Sequence, residues 1–247
     1  MSNNVVLITG GTGAIGAALC KQFHATGNTV VANCHPSDTE RSTQAIKVLA
    51  DEGVDVELLA FDVTDPAACD AAIADIEARV GPISVIVNAA GITRDAKLAN
   101  LEPDQWNAVL RTNLDGVYNV SRPAIEPMTS RKYGRIINIS SVNGQRGQIG
   151  QTNYSAAKAG MTGFTKALAR EVARDGITVN SVSPGYVQSP MIQAVPEPVR
   201  EKIVKQIPVG RFAEPEEIAR AVAFLADSNS SYITGTDLSV NGGYHIG

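Results

Sequence analysis

The chain opens with an apolar run and a glycine-rich turn: residues 5–16 are Val5-Val6-Leu7-Ile8-Thr9-Gly10-Gly11-Thr12-Gly13-Ala14-Ile15-Gly16. The apolar run predicts a buried strand, and the pattern over 16–26 predicts that a helix follows it. Glycines let the backbone approach a pyrophosphate, and the N-terminus of the helix presents free N–H groups to it. A GxGxxG pattern also occurs in flexible loops, but its place between strand and helix favours a dinucleotide site. The residues expected to face the nucleotide here are Gly10, Gly13, Ala14, Ile15 and Gly16.

Short apolar runs and longer amphipathic stretches alternate along the rest of the chain. The apolar runs predict strands at Val5–Ile8, Val30–Ala32, Val56–Phe61, Val85–Val87, Arg135–Ile139, Thr178–Val182 and Asp237–Val240. Helical patterns cover residues 16–26, 39–52, 66–80, 103–130, 152–175 and 214–227. Nearly continuous apolar strands are typical of a parallel sheet covered on both faces. The predicted fold class is therefore α/β, a doubly wound parallel sheet with ligands at the carboxyl ends of its strands.

Composition excludes several classes of protein. A length of 247 residues favours one large domain over residues 1–247. The 21 Lys and Arg residues against 25 Asp and Glu residues give a net charge of −4, which provides no basic surface for nucleic acid. The polar start Met1-Ser2-Asn3-Asn4 has no features of a signal peptide, and no apolar run has the length of a membrane span, so we expect a cytoplasmic protein without membrane contact.

Metal and disulfide chemistry is not expected either. The three cysteines, Cys20, Cys34 and Cys69, form no CxxC pattern, and the three histidines form no HExxH pattern. An odd number of scattered cysteines argues against a disulfide framework, and the spacings match no structural zinc site. The prediction is that the protein uses no metal.

The second predicted strand ends at Cys34-His35, without the acidic residue that often holds the adenosine ribose of NAD. In the loop that follows, Glu40 would repel a 2′-phosphate and Arg41 would attract one, although both could be solvated loop charges. Asp62-Val63 ends the third strand and could receive the adenine ring. Small residues after the fourth strand permit a flat ligand to approach, or serve only tight packing; the cofactor residues predicted there are Asn88, Ala89 and Gly91.

Tyr154 and Lys158 are four residues apart in a predicted helix, so both lie on one face. A phenol ionises with a pKa of roughly 10, and a neighbouring ammonium would stabilise its phenolate. Tyr154 could then exchange a proton with a substrate oxygen, although YxxxK also occurs as a surface pair. Ser141 follows the fifth strand, where its hydroxyl could bind a carbonyl; Ser140 is the competing choice. Asn113 is a polar residue within a helical pattern and could be a packed core amide.

In this order and spacing, the glycine turn, Asn88–Gly91, Asn113, Ser141, Tyr154-x-x-x-Lys158 and Pro184-Gly185 resemble the short-chain dehydrogenase/reductase family over essentially the whole chain. The resemblance implies a single Rossmann-like domain with a seven-stranded sheet. It further implies that Tyr154 is the acid or base, that Lys158 binds the nicotinamide ribose, that Ser141 orients the carbonyl and that Asn113 supports a proton-relay water. Cofactor contacts implied after the sixth strand are Pro184, Gly185, Val187 and Ser189. Ala14 departs from the family pattern, which usually has glycine there.

The stretch between Ser141 and Tyr154 is rich in glycine and glutamine, and it resembles members of this family that reduce acetoacetyl-CoA to (R)-3-hydroxybutyryl-CoA for polyhydroxybutyrate synthesis. The expected substrate is therefore acetoacetyl-CoA or a similar 3-oxoacyl thioester. The substrate contacts predicted are Asp95, Ser141, Gln148, Gln151, Tyr154, Gly185 and Tyr186. The proline-rich segment 186–208 has few signals for a fixed element, which predicts a lid that orders on binding.

Several alternatives remain open at this point. One is a 3-oxoacyl-(acyl-carrier-protein) reductase of fatty-acid synthesis, which shares the four catalytic residues. A non-catalytic nucleotide-binding regulator is disfavoured because all four positions are filled, and the glutamine-rich loop argues mildly against a steroid or sugar dehydrogenase. The cofactor is NADPH or NADH; Glu40 beside Arg41 favours good use of NADH. The family resemblance implies a homotetramer, with 214–240 as part of an interface.

Overall fold

Seven parallel strands form one sheet in the order β3-β2-β1-β4-β5-β6-β7 in this computed structural model. The structure describes residues 4–247, with Met191 described by its backbone alone; the polar start at 1–3 lies outside them. The strands are β1 Val5–Thr9, β2 Thr29–Cys34, β3 Glu57–Ala60, β4 Ile83–Asn88, β5 Gly134–Ile139, β6 Ile177–Pro184 and β7 Asp237–Val240. The prediction of a doubly wound α/β sheet is confirmed, and each predicted strand is present.

Helices cover both faces of this sheet. They are α1 Ala14–Ala25, α2 Thr39–Asp51, α3 Pro66–Arg79, α4 Pro103–Leu110, α5 Gly116–Arg131, α6 Val142–Arg146, α7 Thr152–Val172, α8 Pro190–Gln193, α9 Glu197–Val204 and α10 Pro215–Ala226. On one face the apolar sides of α1 and α10 pack on the sheet through Leu19, Phe23 and Val222. On the other face α3, α5 and α7 contribute residues such as Ile76 and Met128. The five central strands are thus buried on both sides, which favours apolar residues along them, whereas the edge strands β3 and β7 are partly exposed.

The sheet order creates a switch point at the carboxyl end of β1. Its two neighbours are β2 and β4, so the chain leaves β1 in one direction along the sheet and returns on its other side. In open α/β sheets the crevice at such a point is where ligands bind. The glycine turn after β1 and the loop after β4 therefore face each other across this crevice.

Three local features differ from the sequence-based expectations. The single helix predicted over 103–130 is interrupted by a π-helical segment, Arg111–Asp115, which separates α4 from α5. The polar loop expected after Ser141 contains the short helix α6, which Ser141 caps by accepting a hydrogen bond from the backbone N–H of Asn143. The segment 186–208, expected to have no fixed element, contains α8 and α9, each with proline in its first turn, where its fixed φ suits a helix.

Candidate active site

The glycine turn after β1 is tightly enclosed by backbone. Gly10 has a φ of +63°, and a Cβ there would lie 2.9 Å from the Cα of Ala90. A Cβ on Gly16 would lie 2.3 Å from the carbonyl oxygen of Gly10. These two positions therefore require glycine, whereas Gly13 is exposed and forms the N-cap of α1. Ala14 is the first residue of α1 and has ordinary helical geometry, so its methyl group is accommodated, and Ile15 follows in the first turn.

Two polar residues that sequence reasoning missed shape this turn. Asn33 on β2 accepts a hydrogen bond from the backbone N–H of Gly10 over 3.3 Å and donates to the carbonyl of Phe61 over 2.9 Å. Thr9 accepts from the backbone N–H groups of Ala89 and Ala90 over 3.0 and 3.1 Å. Both are buried polar residues at strand ends, and that pattern was the available signal. They tie the turns after β1, β3 and β4 into one crevice.

A carboxylate and an imidazole meet at the far end of this crevice. Asp62 lies after β3 and accepts from the backbone N–H of Thr64 over 2.8 Å, and its Oδ2 lies 3.5 Å from Nε2 of His35. Burial pushes the pKa of Asp62 upward, but hydrogen bonds from Thr64 and the nearby His35 hold the pKa below its ordinary value. His35 was not predicted as a site residue, because only tertiary structure places it against Asp62.

Val63, Glu40 and Arg41, the other residues predicted for this end of the crevice, lie in different elements. The carbonyl of Val63 accepts a hydrogen bond from the side chain of Asn119 over 2.9 Å, which fixes the turn after β3 against α5. Glu40 and Arg41 are exposed in the first turn of α2, and neither forms an ion pair within residues 4–247. Their charges are thus available to a ligand at this end of the crevice.

The loop after β4 is held by side-chain amides. Asn88 donates to the side chain of Asn138 over 2.8 Å and so joins β4 to β5; a contact of Asn88 with a nucleotide stays a prediction. Asn113, in the π-helical segment, accepts from the N–H of Ile92 over 2.8 Å and donates to the carbonyl of Ile92 over 2.9 Å. A Cβ on Gly91 would lie 3.3 Å from Oδ1 of Asn113 and 3.7 Å from Nζ of Lys158, so these three residues converge. Ala89 lies beside them, half-buried.

The two serines after β5 have different partners. Ser140 donates to the backbone carbonyl of Lys158 over 3.0 Å and is buried. Ser141 lies close enough to Tyr154 to lower the pKa of its phenol. The neighbouring positions face opposite ways at the strand end, as residues of a strand do. The structure therefore brings Ser141, and not Ser140, to the tyrosine hydroxyl.

Tyr154 and Lys158 share one face of α7. Nζ of Lys158 lies 5.6 Å from the centre of the Tyr154 ring and donates to the carbonyl of Ile139 over 2.6 Å. Asn153, which sequence reasoning missed, precedes Tyr154 and is fully buried. It donates to the carbonyl of Arg94 over 3.0 Å and accepts from the N–H of Tyr154 over 2.8 Å. The start of α7 is thereby attached to the loop after β4.

Burial dominates the acid–base properties of this pair. It lowers the pKa of Lys158 from 10.5 to about 8. It raises the pKa of Tyr154, and the nearby charge of Asp95 adds to this, while the hydrogen bond from Ser141 acts in the opposite direction. The expectation that Lys158, aided by a cationic nicotinamide ring, stabilises the phenolate of Tyr154 stays a prediction. Tyr154 is accordingly a protonated phenol at neutral pH, which suits the donation of a proton.

The side chain of Gln151, a predicted substrate contact, is hydrogen-bonded to other side chains of the protein. It donates to Oδ2 of Asp95 over 2.8 Å and accepts from the side-chain amide of Asn143 over 2.9 Å. Gln145, in the same glutamine-rich stretch, donates to Asp237 and Ser239 on β7, over 2.8 Å each. Gln151 and Asp95 therefore hold two loops together at the tyrosine, and direct contact with substrate remains a prediction for them.

The segment after β6 borders the same crevice. Pro184 ends β6, and a Cβ on Gly185 would lie 2.9 Å from the Cα of Asn241, so this approach also requires glycine. Val187 pairs with Ala213 in an isolated bridge. Ser189 caps α8 by accepting from the N–H of Ile192 over 3.3 Å, which leaves its own hydroxyl hydrogen free to be donated.

A cavity of about 720 Å³ opens between α6, the segment 186–208 and the C-terminal loop. Gln148 and Tyr186, two of the predicted substrate contacts, line it together with Arg146 and Tyr244. The ring of Tyr186 packs edge-on against Tyr244, with ring centres 5.4 Å apart, and against Phe212 at 6.1 Å. Burial raises the pKa of Tyr186.

The crevice fits a dinucleotide. The turn at Gly10 and Gly16 admits no side chain, the N-terminus of α1 faces outward at the exposed Gly13, and small residues follow β4. Free N–H groups at a helix N-terminus bind phosphate. Lys158 and Ser189 offer donors further along the crevice, and Asp62 offers an acceptor. Within residues 4–247 no group of three or more His, Cys, Asp or Glu is placed to hold a metal ion.

This fold and these side chains define a dinucleotide-binding oxidoreductase. A family model described as enoyl-(acyl carrier protein) reductase matches residues 11–245. The chain is 50% identical to an acetoacetyl-CoA reductase of Allochromatium vinosum over 97% of each chain, and 45% identical to one of Cupriavidus necator over 100% of each. It is 42% identical to a 3-oxoacyl-(acyl-carrier-protein) reductase of Salmonella typhimurium over 98% of this chain and 97% of that one. The chain belongs to the short-chain dehydrogenase/reductase family.

Family membership implies that the cofactor is NADH or NADPH. The absence of a membrane-spanning helix is a separate finding. In the part of the chain that the structure describes, none of the helices combines the length and the apolar character needed to cross a bilayer.

Proposed function

We propose that the protein reduces acetoacetyl-CoA to (R)-3-hydroxybutyryl-CoA in polyhydroxybutyrate synthesis. The observation that carries the proposal is the grouping of Ser141, Tyr154 and Lys158 at the carboxyl edge of the sheet. Ser141 lowers the pKa of the Tyr154 phenol, and Nζ of Lys158 lies 5.6 Å from the centre of the Tyr154 ring. The names of the relatives at 50% and 45% identity over the whole chain support this choice of substrate.

Different side chains have different roles in the reduction. When bound, the reduced nicotinamide supplies a hydride for C3 of the 3-oxoacyl group. The phenol of Tyr154 gives its proton to the oxygen on that carbon, and its raised pKa keeps the proton in place until an alkoxide develops. The oxygen of Ser141 accepts from the N–H of Asn143 over 3.1 Å. In this proposal its hydroxyl hydrogen, which acts on Tyr154 in the free protein, is donated to the carbonyl oxygen of the substrate when the substrate is bound.

Lys158 and Asn113 assist the proton transfer by Tyr154. The buried ammonium of Lys158 is positioned by Ile139 to bind the nicotinamide ribose and to carry a proton toward the tyrosine. Asn113 keeps the loop after β4 against Lys158 through both backbone groups of Ile92, and in this proposal it also supports the relay water. Proton replacement from solvent then restores the phenol after each turnover.

The proposed cofactor is NADH or NADPH, with NADH well accepted. Glu40 and Arg41 are exposed beside the end of the crevice where an adenosine ribose would lie, and β2 itself ends without a basic residue. A carboxylate at Glu40 disfavours a 2′-phosphate, and the guanidinium of Arg41 partly offsets this.

A second candidate is a 3-oxoacyl-(acyl-carrier-protein) reductase, which the Salmonella typhimurium relative at 42% identity favours. Turnover of acetoacetyl-CoA and of an acetoacetyl carrier-protein thioester at equal concentrations separates the two. We expect a kcat/KM at least about 10-fold higher for acetoacetyl-CoA, equivalent to about 1.4 kcal/mol. The opposite preference would assign the protein to the carrier-protein reaction.

The chemical assignment is tested with Tyr154→Phe. This variant loses the hydroxyl but keeps the ring, so it should bind the reduced dinucleotide normally and show no turnover. Full activity in this variant would overturn the assignment. Fluorescence titration of the dinucleotide serves as the control for an intact crevice.

Three further features belong to this proposal. The segment 186–208, with α8 and α9, acts as a lid over a thioester bound near Tyr186.

A homotetramer buries the exposed side chains of Phe224 on α10 and Tyr232 near β7; a monomer by light scattering would contradict it. The reaction takes place in the cytoplasm.

A further inference from the structure

Arg146 is the cation of the cavity beside the active site. It ends α6, and its guanidinium carbon lies 4.3 Å from the centre of the Tyr244 ring. Within residues 4–247 it forms no ion pair, and no acidic side chain is among the described residues that line the cavity. A guanidinium stacked on an aromatic ring is oriented while its N–H donors stay free.

The aromatic ring is itself fixed in place. Tyr244 packs edge-on against Tyr186, and its hydroxyl donates to the side chain of Gln206 over 3.4 Å. Tyr186 in turn packs against Phe212. The platform under Arg146 therefore has little freedom to move, and the guanidinium is held at the cavity rather than released to solvent.

The cavity has a polar end and an apolar wall. Val199 and Ile203 of α9 line one side, and Gln148 and Gln206 provide amide groups. Ser141 precedes α6 and Arg146 ends it, so this short helix joins the serine of the active site to the cation at the cavity. This arrangement suits an elongated ligand with amide groups, a reactive carbonyl at one end and an anion beyond it.

We propose that Arg146, oriented by Tyr244, binds a phosphate of the arm that carries the 3-oxoacyl group, and that the cavity receives the pantetheine chain between them. This inference rests on the proposed function and names a residue that distinguishes phosphorylated from unphosphorylated thioesters. A chain with a net charge of −4 repels polyanions overall, so an unpaired cation at the cavity is the local feature that attracts one.

The test uses three substrates: acetoacetyl-CoA, acetoacetyl-4′-phosphopantetheine and acetoacetyl-pantetheine, which has no phosphate. In Arg146→Met we expect the KM for a phosphate-bearing thioester to rise about 10-fold, because a charge-assisted contact is lost. The KM for acetoacetyl-pantetheine and kcat for all three should stay unchanged. If KM rises for both phosphate-bearing substrates, Arg146 binds the 4′-phosphate, which CoA shares with the carrier-protein arm. If KM rises for acetoacetyl-CoA alone, Arg146 binds a phosphate of the nucleotide part of CoA.

Control variants separate stacking from charge. Arg174→Met removes an exposed arginine away from the cavity and should leave every KM unchanged. Tyr244→Leu removes the ring under Arg146 and should partly reproduce the effect of Arg146→Met. Equal changes of KM for all three substrates, or none, would overturn the phosphate assignment. If the unmodified protein reduces none of the three thioesters, it is the proposed function that fails.

Discussion

Lys158 donates its ammonium group to the backbone carbonyl of Ile139 over 2.6 Å. Ile139 is the last residue of β5, and Ser140 next to it donates to the carbonyl of Lys158 over 3.0 Å. Two hydrogen bonds thus fasten one turn of α7 to the end of the strand. Because Tyr154 lies one turn earlier on the same helix, this attachment places its hydroxyl at Ser141.

The two serines should respond differently to loss of the hydroxyl. Ser141→Ala removes the group next to Tyr154, and we expect kcat to fall about 100-fold. Because the same hydroxyl caps α6, this variant should also lose about 1 kcal/mol in free energy of unfolding. Ser140→Ala leaves the carbonyl of Lys158 with one partner fewer and should lower the free energy of unfolding by about 1 kcal/mol. Steady-state kinetics and urea denaturation of both variants provide the comparison. A larger loss of kcat in Ser140→Ala would mean that the wrong serine is assigned.

Burial of Lys158 should appear in the pH dependence of stability. Its pKa falls from 10.5 to about 8 on folding, so between these pH values the unfolded chain holds a proton that the folded chain has lost. Stability contributed by this group therefore rises as pH increases through that window. Relative to Lys158→Met, the unmodified protein should gain about 3 kcal/mol in free energy of unfolding between pH 7 and pH 10.5.

Urea denaturation at several pH values and a fixed protein concentration measures this gain. Lys166→Met, which removes an exposed lysine from the same helix, serves as the matched control and should track the unmodified protein. Parallel curves for Lys158→Met and the unmodified protein would contradict the lowered pKa.

The charge of Asp95 should influence the proton affinity of Tyr154. The carboxylate raises the pKa of the phenol, so Asp95→Asn should lower that pKa while its carbonyl oxygen still accepts from Gln151. Alcohol oxidation requires the phenolate, and the acidic limb of its pH profile should therefore move to lower pH. Asp104→Asn, at an exposed position in α4, is the control. No movement of that limb would show that Asp95 acts only by holding Gln151.

Glu40 should set the preference between the two dinucleotides. Glu40→Gln removes a carboxylate from the end of the crevice, and we expect kcat/KM for NADPH to rise about 5-fold while that for NADH is unchanged. Asp51→Asn, at the other end of α2, should change neither value. If kcat/KM of the unmodified protein is much higher for NADPH than for NADH, Glu40 does not have this role.

Periodicity and turn residues were sufficient to predict the sheet, because the five central strands are buried on both faces and carry runs of apolar residues. They were insufficient for α6, which contains Asn143 and Gly144, residues of low helix propensity. That helix is stabilised by its cap at Ser141 and by Gln145, which reaches Asp237 on β7. Neither α8 nor α9 was predicted, since the proline-rich segment 186–208 has few signals for a fixed element; Pro190 and Pro198 instead lie in the first turns of these helices.

The sequence by itself determined the succession of strands and helices, the glycine turn and the four-residue spacing of Tyr154 and Lys158, because these depend on residues close together in the chain. Only the tertiary structure decided which serine reaches Tyr154, that Gln151 is occupied by Asp95 and Asn143, and that His35 faces Asp62. Those contacts join residues from different loops at the edge of the sheet. Their distances follow from strand order and packing, and no local pattern of residues specifies them.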